Sequence, residues 1–458
     1  MTAAPASLVV AGAGPAGLAA AAAGRAAGMR VTVIDESQQP GGQYFRGRQG
    51  SRAEGSPGRF RRDHAGVDLV LEAAIVDAPA PGTLTVHDAR QGARDLAYDR
   101  LVIATGAVDR AVPLPGWTLP GVLTAGGAST LAKVHGVAPG RRMLVAGSGA
   151  FLLSVAADLA AVGCAVELVE ATPALASARG LAAIAGVPRL AGETVAHLAR
   201  LARHRVRLRY GAMVTRIHGG DRVAAATIHR VDGHWIPLPG SERTVAVDGV
   251  CLGFGFVPQL ELAELLGCAL AHDPLDAGFR LVVDAAMRTS LPGVYGAGEV
   301  TGIGGMRMAV AEGRLAGLTA AHDAGLLSRP DYEARAAPIR RRLRPLRRVA
   351  GWMRRAYAPR RGLWRLADPA TTLCRCEGVS LAEAAATLAL NPPTPVALKT
   401  ATRAGMGLCQ GRICGPYLIE WLRSEHGFGL PDGGRPWRVR PPLRPVPLGD
   451  WPGAEAGG

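Results

Sequence analysis

Two strand–glycine-loop–helix–strand units, at residues 7–36 and 142–170, and four cysteines grouped between positions 374 and 414 predict an α/β chain. Its expected plan is two Rossmann-like dinucleotide-binding domains followed by a small helical C-terminal module. The 458 residues suffice for two to four domains, each with its own core. Hydrophobic residues make up 48 %, aromatics only 5 %, and glycine occurs 61 times, which suits alanine- and glycine-rich helices packed closely on parallel strands. The expected division is 1–115 with 275–330 for the first nucleotide domain and 116–274 for the second. An Arg/Pro-rich linker at 331–369, the cysteine module at 370–430 and an extended tail at 431–458 follow.

The first unit begins with the apolar strand Ser7–Ala11 and turns through Gly12-Ala13-Gly14-Pro15-Ala16-Gly17 into an alanine-rich helix. The alternating strand from Arg30 to Ile34 then ends at Asp35-Glu36. Gly12 permits the tight turn, Gly14 lets backbone amides approach a pyrophosphate, and Gly17 lets helix and strand come close. The helix N-terminus adds partial positive charge. A spacing of 23 residues from Gly12 favours Asp35 as the ribose ligand, whereas the run from Glu36 to Gly41-Gly42 favours Glu36, and both stand as candidates. Gly42 and Gln43, and Thr105-Gly106 at the end of the LVIATGA strand, complete the expected first site.

The second unit reads MLVAG, then Gly147-Ser148-Gly149-Ala150-Phe151-Leu152, a helix, and AVELVE ending at Glu170, again 23 residues from its first glycine. Leu152 stands where the third glycine belongs, so the helix is expected to ride higher over the strand. Two outcomes stay open: a working NAD site, whose Glu170 would accept from a ribose 2′-hydroxyl and repel a 2′-phosphate, or a Rossmann layer that binds no nicotinamide. Further on, Gly296-Ala297-Gly298-Glu299 ends a strand and Gly304-Gly305 opens a helix. Glu299 is expected to bind a flavin ribityl hydroxyl, the helix N-terminus facing the ring; the alternative is a glycine turn with a solvated acid.

From Ala336 to Pro369 the chain is rich in Arg and Pro with interleaved Leu and Trp, read as a linker and docking segment. A membrane-surface helix is disfavoured because Pro345 and Pro359 interrupt it. In the last module Ser380-x-x-Glu383 is a capping box, and Pro416 lies at the start of a helix that ends before Gly427.

The net charge of +15 comes almost wholly from arginine, lysine occurring only at 133 and 399. Its densest run, Arg340–Arg361, lies between expected domains instead of alternating with aromatics on one face, so nucleic-acid binding is not expected. No apolar run reaches the ~20 uncharged residues a membrane span needs, and the N-terminus shows no basic leader. A cytoplasmic location and no transmembrane segment are therefore expected, and seven cysteines in such a chain favour metal or redox use over a secreted disulfide framework.

Cys374-x-Cys376, 32 intervening residues and Cys409-x4-Cys414 form the pattern with the most chemistry in it. Four thiolates converging near backbone amides would hold an iron–sulfur cluster, and Gly378, Gly405, Gly407, Gly411 and Gly415 would let the backbone approach sulfur. A [2Fe–2S] cluster is the favoured occupant. Zinc fits the one-residue gap less well, and a Cys409–Cys414 redox disulfide would leave the other pair unexplained. Cys164, Cys251 and Cys268 read as buried small residues.

With these motifs, the strings ATGAVDRAVPLPGWTLPGVLTAGG, GSGAFLL, GIGGMRMAVAEGRLAG and CRCE…KTATRAGMGLCQGRICGP make the chain resemble a known family to about residue 428. It is the pyridine-nucleotide/flavoprotein subunit family of heteromeric amino-acid and amine dehydrogenases, of the opine oxidase, D-hydroxyproline dehydrogenase and hydrogen cyanide synthase type. The resemblance implies a disulfide-reductase-like flavoprotein carrying a module similar to bacterioferritin-associated ferredoxin, with its cluster on Cys374, Cys376, Cys409 and Cys414. It also implies FAD at the first site, although sarcosine oxidase-like relatives place NAD there, so FAD, NAD or ATP stay open. Ala150 departs from a frequent proline and Glu299 from the usual aspartate.

The expected function is therefore an oxidoreductase subunit. It would relay electrons from a partner FAD-containing amine or amino-acid oxidase-type subunit to a downstream acceptor, and a small ferredoxin-like subunit is a further expected partner. Gly41-Gly42 is followed by Gln43-Tyr44-Phe45-Arg46 with no cysteine pair, which excludes thiol–disulfide reductase chemistry there, and no acid/base pair marks a substrate pocket. A self-contained NADH-dependent flavin reductase feeding its own cluster, and a non-catalytic assembly subunit with a structural nucleotide, are the alternatives.

Overall fold

The computed structural model describes residues 5–46, 66–174, 187–431 and 434–451, together with positions 58 and 184. Nearly all of the basic glycine-rich loop at 46–62 falls outside these residues. Two parallel five-stranded sheets organise the body. The first runs in the order Val294–Gly296, Arg100–Ile103, Ser7–Ala11, Arg30–Asp35, Asp68–Leu71. The second runs Arg207–Tyr210, Ala165–Glu170, Arg142–Gly147, Gly249–Gly253, Val122–Thr124. In each, the strand that feeds the glycine loop is central, with its carboxyl end in a crevice between neighbours, the position in which such sheets bind ligands. These central strands are near-continuous apolar runs because both faces are covered, one by helices and the other largely by an antiparallel sheet.

Two antiparallel three-stranded sheets flank these layers, from Ala73–Ala80, Thr83–Asp88 and Gly92–Ala97, and from Ala212–Gly219, Val223–Arg230 and Arg243–Ala246. Strands Ala107–Asp109 and Phe256–Pro258 pair antiparallel where the chain passes between the two halves. Helix Met306–Asp323 lies on helix Pro15–Ala26 at backbone contact distance. A Cβ on Gly313 would stand 2.0 Å from the Ala16 carbonyl oxygen, and one on Gly317 would stand 2.2 Å from that of Ala20. Only glycine permits that approach.

The segment expected as a linker is largely helix. Arg329–Ala356 is a single helix of 28 residues that runs through Pro338 and Pro345, while Pro359 lies beyond its end. Each internal proline removes one backbone hydrogen bond. The compensation is an apolar stripe at helical spacing, Tyr332, Ala336, Leu343, Leu346 and Ala350, buried in the core that the first two helices share. Ser328 caps the start by accepting from the Asp331 amide, and most of the arginines lie off the buried stripe.

The C-terminal module consists of the hairpin Thr372–Cys374 with Val379–Ser380 and helices Leu381–Leu390, Pro395–Thr402 and Cys414–His426. The Ser380/Glu383 capping box forms as expected, and Gly427 ends the last helix in the left-handed conformation. Its core is continuous with that of the second sheet: Trp117 donates to the Thr372 carbonyl at 2.8 Å, and the Tyr417 hydroxyl to that of Trp364 at 3.1 Å. A buried polar contact, His272 to Glu420 at 2.8 Å, seals the other flank.

Glu425 on the last helix meets Arg361 at 3.1 Å and Arg365 at 2.7 Å. Burial works to raise its carboxyl, but the two guanidiniums and the Ser424 hydroxyl outweigh this and hold it at about 2. A carboxyl so depressed contributes stability that is whole above its unfolded value near 4.5 and lost as pH falls toward 2. Glu425→Gln is therefore expected to lower the thermal midpoint at neutral pH and to flatten its decline between about pH 4.5 and 2. Thermal unfolding followed across that range checks it.

Candidate functional site

At the first glycine loop Gly12 has φ +108°, and a Cβ there would lie 2.4 Å from the Ala104 carbonyl oxygen. Gly17 is more constrained still, since its Cβ would stand 1.8 Å from the Gly12 carbonyl oxygen. Gly14 differs: its nearest neighbour would be Gly42 Cα at 4.0 Å, so its exposed side is open. It caps helix Pro15–Ala26 with no side chain on the first amides, which leaves those donors facing the crevice. The Gly41-Gly42 turn closes one wall, Gly41 N donating to the Ala13 carbonyl at 2.7 Å.

The residues expected around this loop converge at the carboxyl ends of adjacent strands. Asp35 ends its strand and accepts from the amides of Ala13 at 2.6 Å and Ser37 at 2.8 Å. Glu36 points elsewhere and meets Arg444 at 2.7 Å. Thr105 Oγ1 donates to the Gln259 carbonyl at 2.7 Å, and Gly106 beside it has φ +76°. Gln43 lies exposed on the short helix Gly42–Phe45 and its carbonyl accepts from Lys133. Gly298, φ +81°, would place a Cβ 2.8 Å from that of Ala16, so the turn carrying Glu299 abuts the first loop. Glu299 accepts from the Gly305 amide at 2.8 Å, and burial raises its carboxyl to about 7 despite amide donation from Gly305 and Gly304. The open Gly14 face, the free helix amides and Asp35 together fit the phosphates and ribose of a dinucleotide.

The second loop is built differently. Gly147, φ +150°, would drive a Cβ to within 1.8 Å of the Gly253 carbonyl oxygen, and Gly149 has φ +128° with open space beside it. Helix Phe151–Ala161 begins one residue later in the motif than its counterpart, after Ala150 in helical conformation. Leu152 is buried and finds its room at Gly253, where a Cβ would meet the leucine side chain at 2.7 Å. A glycine on the neighbouring strand thus replaces the one missing from the motif. Glu170 is buried and accepts from Gly149 N and Thr172 N, both at 2.9 Å; burial lifts its carboxyl to about 6. Asp35 holds two amides in the same way but is half-buried, so the fully buried Glu170 is the less accessible of the two to a ribose. A cavity of about 470 Å³ touches Gly140, Arg141, Gly163 and Asp248 at the amino ends of the same strands, the side away from the second loop.

The four C-terminal cysteines meet as two pairs that cross between the motifs. The Cys374 and Cys414 thiols act most strongly on each other's ionisation, as do those of Cys376 and Cys409, so the four sulfurs are neighbours. All seven cysteines are free, so the Cys409–Cys414 disulfide is not the arrangement adopted. The Cys414 thiol pushes Cys374 down to about 5 against burial, with further help from the amides of Gly405, Glu377 and Cys376, while Cys414 is raised by that same neighbour. Among the described residues no three Cys, His, Asp or Glu side chains surround one point at ligating distance. Four neighbouring thiols with backbone amides beside them are the donor set that a [2Fe–2S] cluster or a tetrahedral ion would take.

The glycines near these cysteines divide in role. Gly407 approaches sulfur as expected: a Cβ on it would lie 2.2 Å from Cys376 Cβ and 3.3 Å from its Sγ. Gly411 makes room for Trp437, and Gly405 does so as well as donating its amide to Cys374; the ring would stand 1.9 Å from a Cβ on Gly405 and 3.1 Å from one on Gly411. Trp437 is buried and comes from the tail, where a lone tryptophan among prolines and arginines carried no periodicity to reveal its partner. Cys164, Cys251 and Cys268 are buried singly.

Residues 6–325 match the family model described as pyridine nucleotide-disulphide oxidoreductase. An opine oxidase subunit of Rhizobium meliloti is 31 % identical over 97 % of this chain and 86 % of its own length. Hydrogen cyanide synthase subunit HcnB of Pseudomonas protegens is 32 % identical over 97 % of each chain. L-proline dehydrogenase from P. horikoshii shares the fold, with a TM-score of 0.69 over 98 % of this chain and 79 % of that one, at 20 % identity.

Proposed function

Because this chain belongs to the pyridine nucleotide-disulphide oxidoreductase family, we propose that it is the electron-transferring subunit of a heteromeric amine or amino-acid dehydrogenase. Its relatives are named as subunits of larger oxidases, which supports a partner chain. The observation that carries the reading is the gathering of Cys374, Cys376, Cys409 and Cys414 as electrostatic neighbours, beside a body with two Rossmann layers. Dinucleotide and cluster, when bound, supply two-electron and one-electron chemistry respectively.

The chain's own residues then have definite tasks. The Gly12–Gly17 loop and the first amides of its helix take the phosphates, Asp35 takes the ribose, and Glu299 with the Gly304 and Gly305 amides takes a polyol or ring edge. Gly405, Glu377 and Cys376 donate amides to the Cys374 sulfur, and Trp437 covers the cysteine loops. No cysteine follows Gly41-Gly42, so electrons have no dithiol to reach beside the first loop despite the family's name. With no dithiol there, C–N bond oxidation is on this reading left to the partner. Among the described residues no helix is long and apolar enough to cross a membrane.

The test is anaerobic purification with its co-expressed partner, assay of flavin, iron and acid-labile sulfide, and then addition of candidate amino acids and amines. Substrate-dependent bleaching of flavin and cluster absorbance is the expected outcome. Bleaching by NADH with this chain alone would replace the relay with a self-contained reductase, and no bleaching under either condition would leave a structural subunit.

A further inference from the structure

The tail from Gly434 to Trp451 crosses from the cysteine module to the first sheet. Trp437 sits in the notch at Gly405 and Gly411, Arg435 meets Glu264 at 3.2 Å, and Val439 N donates to Glu264 at 3.0 Å. Farther on, Gln410 Nε2 donates to the Pro442 carbonyl at 2.8 Å and Leu443 N to that of Val76 at 2.7 Å. These contacts deliver Arg444 to the mouth of the first crevice. Its Nε donates to Glu36 Oε1 at 2.7 Å and its Nη2 to Gln259 Oε1 at 3.2 Å.

The two anchors lie on opposite sides of the glycine loop. Glu36 follows the strand Arg30–Asp35, one neighbour of the central strand Ser7–Ala11. Gln259 is tied to Thr105 by a reciprocal pair of bonds, its Nε2 donating to the Thr105 carbonyl at 2.9 Å and its own carbonyl accepting from Thr105 Oγ1 at 2.7 Å. Thr105 follows the strand Arg100–Ile103, the other neighbour. A guanidinium bonded to both sides therefore spans the carboxyl end of the central strand, over the crevice where the glycine loop opens. An exposed ion pair contributes little to stability by itself, and Glu36 is 54 % exposed, so folding alone does not account for so specific a bridge.

We propose that the C-terminal tail is a lid on the first dinucleotide site, with Arg444 as its latch and as a positioning residue for the ADP moiety beneath it. The planar guanidinium suits this class of ligand, since it both pairs with phosphate oxygens and stacks on a purine face. The ADP moiety is common to FAD, NAD and ATP, so the latch serves whichever of them the site takes. Glu36, held by Arg444, is thereby withdrawn from the ribose and leaves it to Asp35. The inference rests on the reading of the Gly12–Gly17 loop as a dinucleotide site.

Full-length wild type, Arg444→Ala and Arg444→Lys are to be stripped of nucleotide and titrated separately with FAD, NAD and ATP, and the release rate of the ligand that binds measured. Arg444→Ala is expected to release it about tenfold faster with association little changed, the size of one charge-assisted bridge, and Arg444→Lys to fall between. Iron and sulfide content depends on the Trp437 end of the tail and should stay at the wild-type level, certifying the fold. Wild type that binds one of the three, with an Arg444→Ala release rate equal to its own, overturns the latch. Wild type that binds none of the three overturns the dinucleotide reading underneath it.

Discussion

Cys376→Ala protein prepared without air is expected to contain less than about a tenth of the wild-type iron and sulfide, with the fold intact. Cys376 is the exposed member of the four and supports little of the core, so its removal isolates ligation from packing. The apoprotein should unfold within about 0.5 kcal/mol of wild-type apoprotein, as surface substitutions do. Cys414→Ala should lose the metal equally but also lower apoprotein stability, because Cys414 is buried at the start of the last helix among Leu418, Trp421 and Trp437. Iron and sulfide assays set beside denaturant unfolding of the two metal-free variants separate the effects. Full iron retention in Cys376→Ala would mean that any cluster is held without the cross-motif pairs.

The α/β plan was legible because its signals are local. Strand, glycine turn, helix and acid follow one another within 29 residues in each unit, and the chemistry of the turn forces that order. The cysteine group was legible for the same reason, as was the Ser380 capping box. What stayed hidden depends on partners far away in the chain. Leu152 in place of a glycine is accommodated by Gly253, a residue with no sequence relation to it. Pro345 and Pro359 pointed to an interrupted segment, yet the helix runs through Pro345, and through Pro338, because its apolar stripe packs on Met306–Asp323. Counting prolines registers their cost but not the offsetting burial.

The glycines around the cysteines were read as one class serving sulfur; Gly405 does so but also, with Gly411, makes room for Trp437, which that reading missed. Glu36 and Asp35 could not be ranked by spacing. In the structure Arg444, more than 400 positions away, engages Glu36, while Asp35 accepts from the Ala13 and Ser37 amides beside the loop.

Gly17→Ala and Gly14→Ala, one methyl each in the same hexapeptide, are expected to fail in opposite ways. The Gly17 methyl would be placed 1.8 Å from the Gly12 carbonyl oxygen and 3.2 Å from Val10 Cγ1, so helix Pro15–Ala26 would have to lift off its strand. It cannot lift freely, because Gly313 and Gly317 hold its other side at Ala16 and Ala20 with no intervening side chain. Overpacking between two backbones should cost at least about 3 kcal/mol, seen as a large loss of soluble protein or a fall in the denaturation midpoint, with or without ligand. The Gly14 methyl would meet nothing closer than 4.0 Å, so that variant should keep its stability. It should instead weaken dinucleotide binding by about tenfold or more, because the methyl occupies the face through which the helix amides reach phosphate. Denaturant unfolding paired with nucleotide titration distinguishes the two, and a Gly14→Ala protein that binds as wild type would show that the phosphates lie elsewhere.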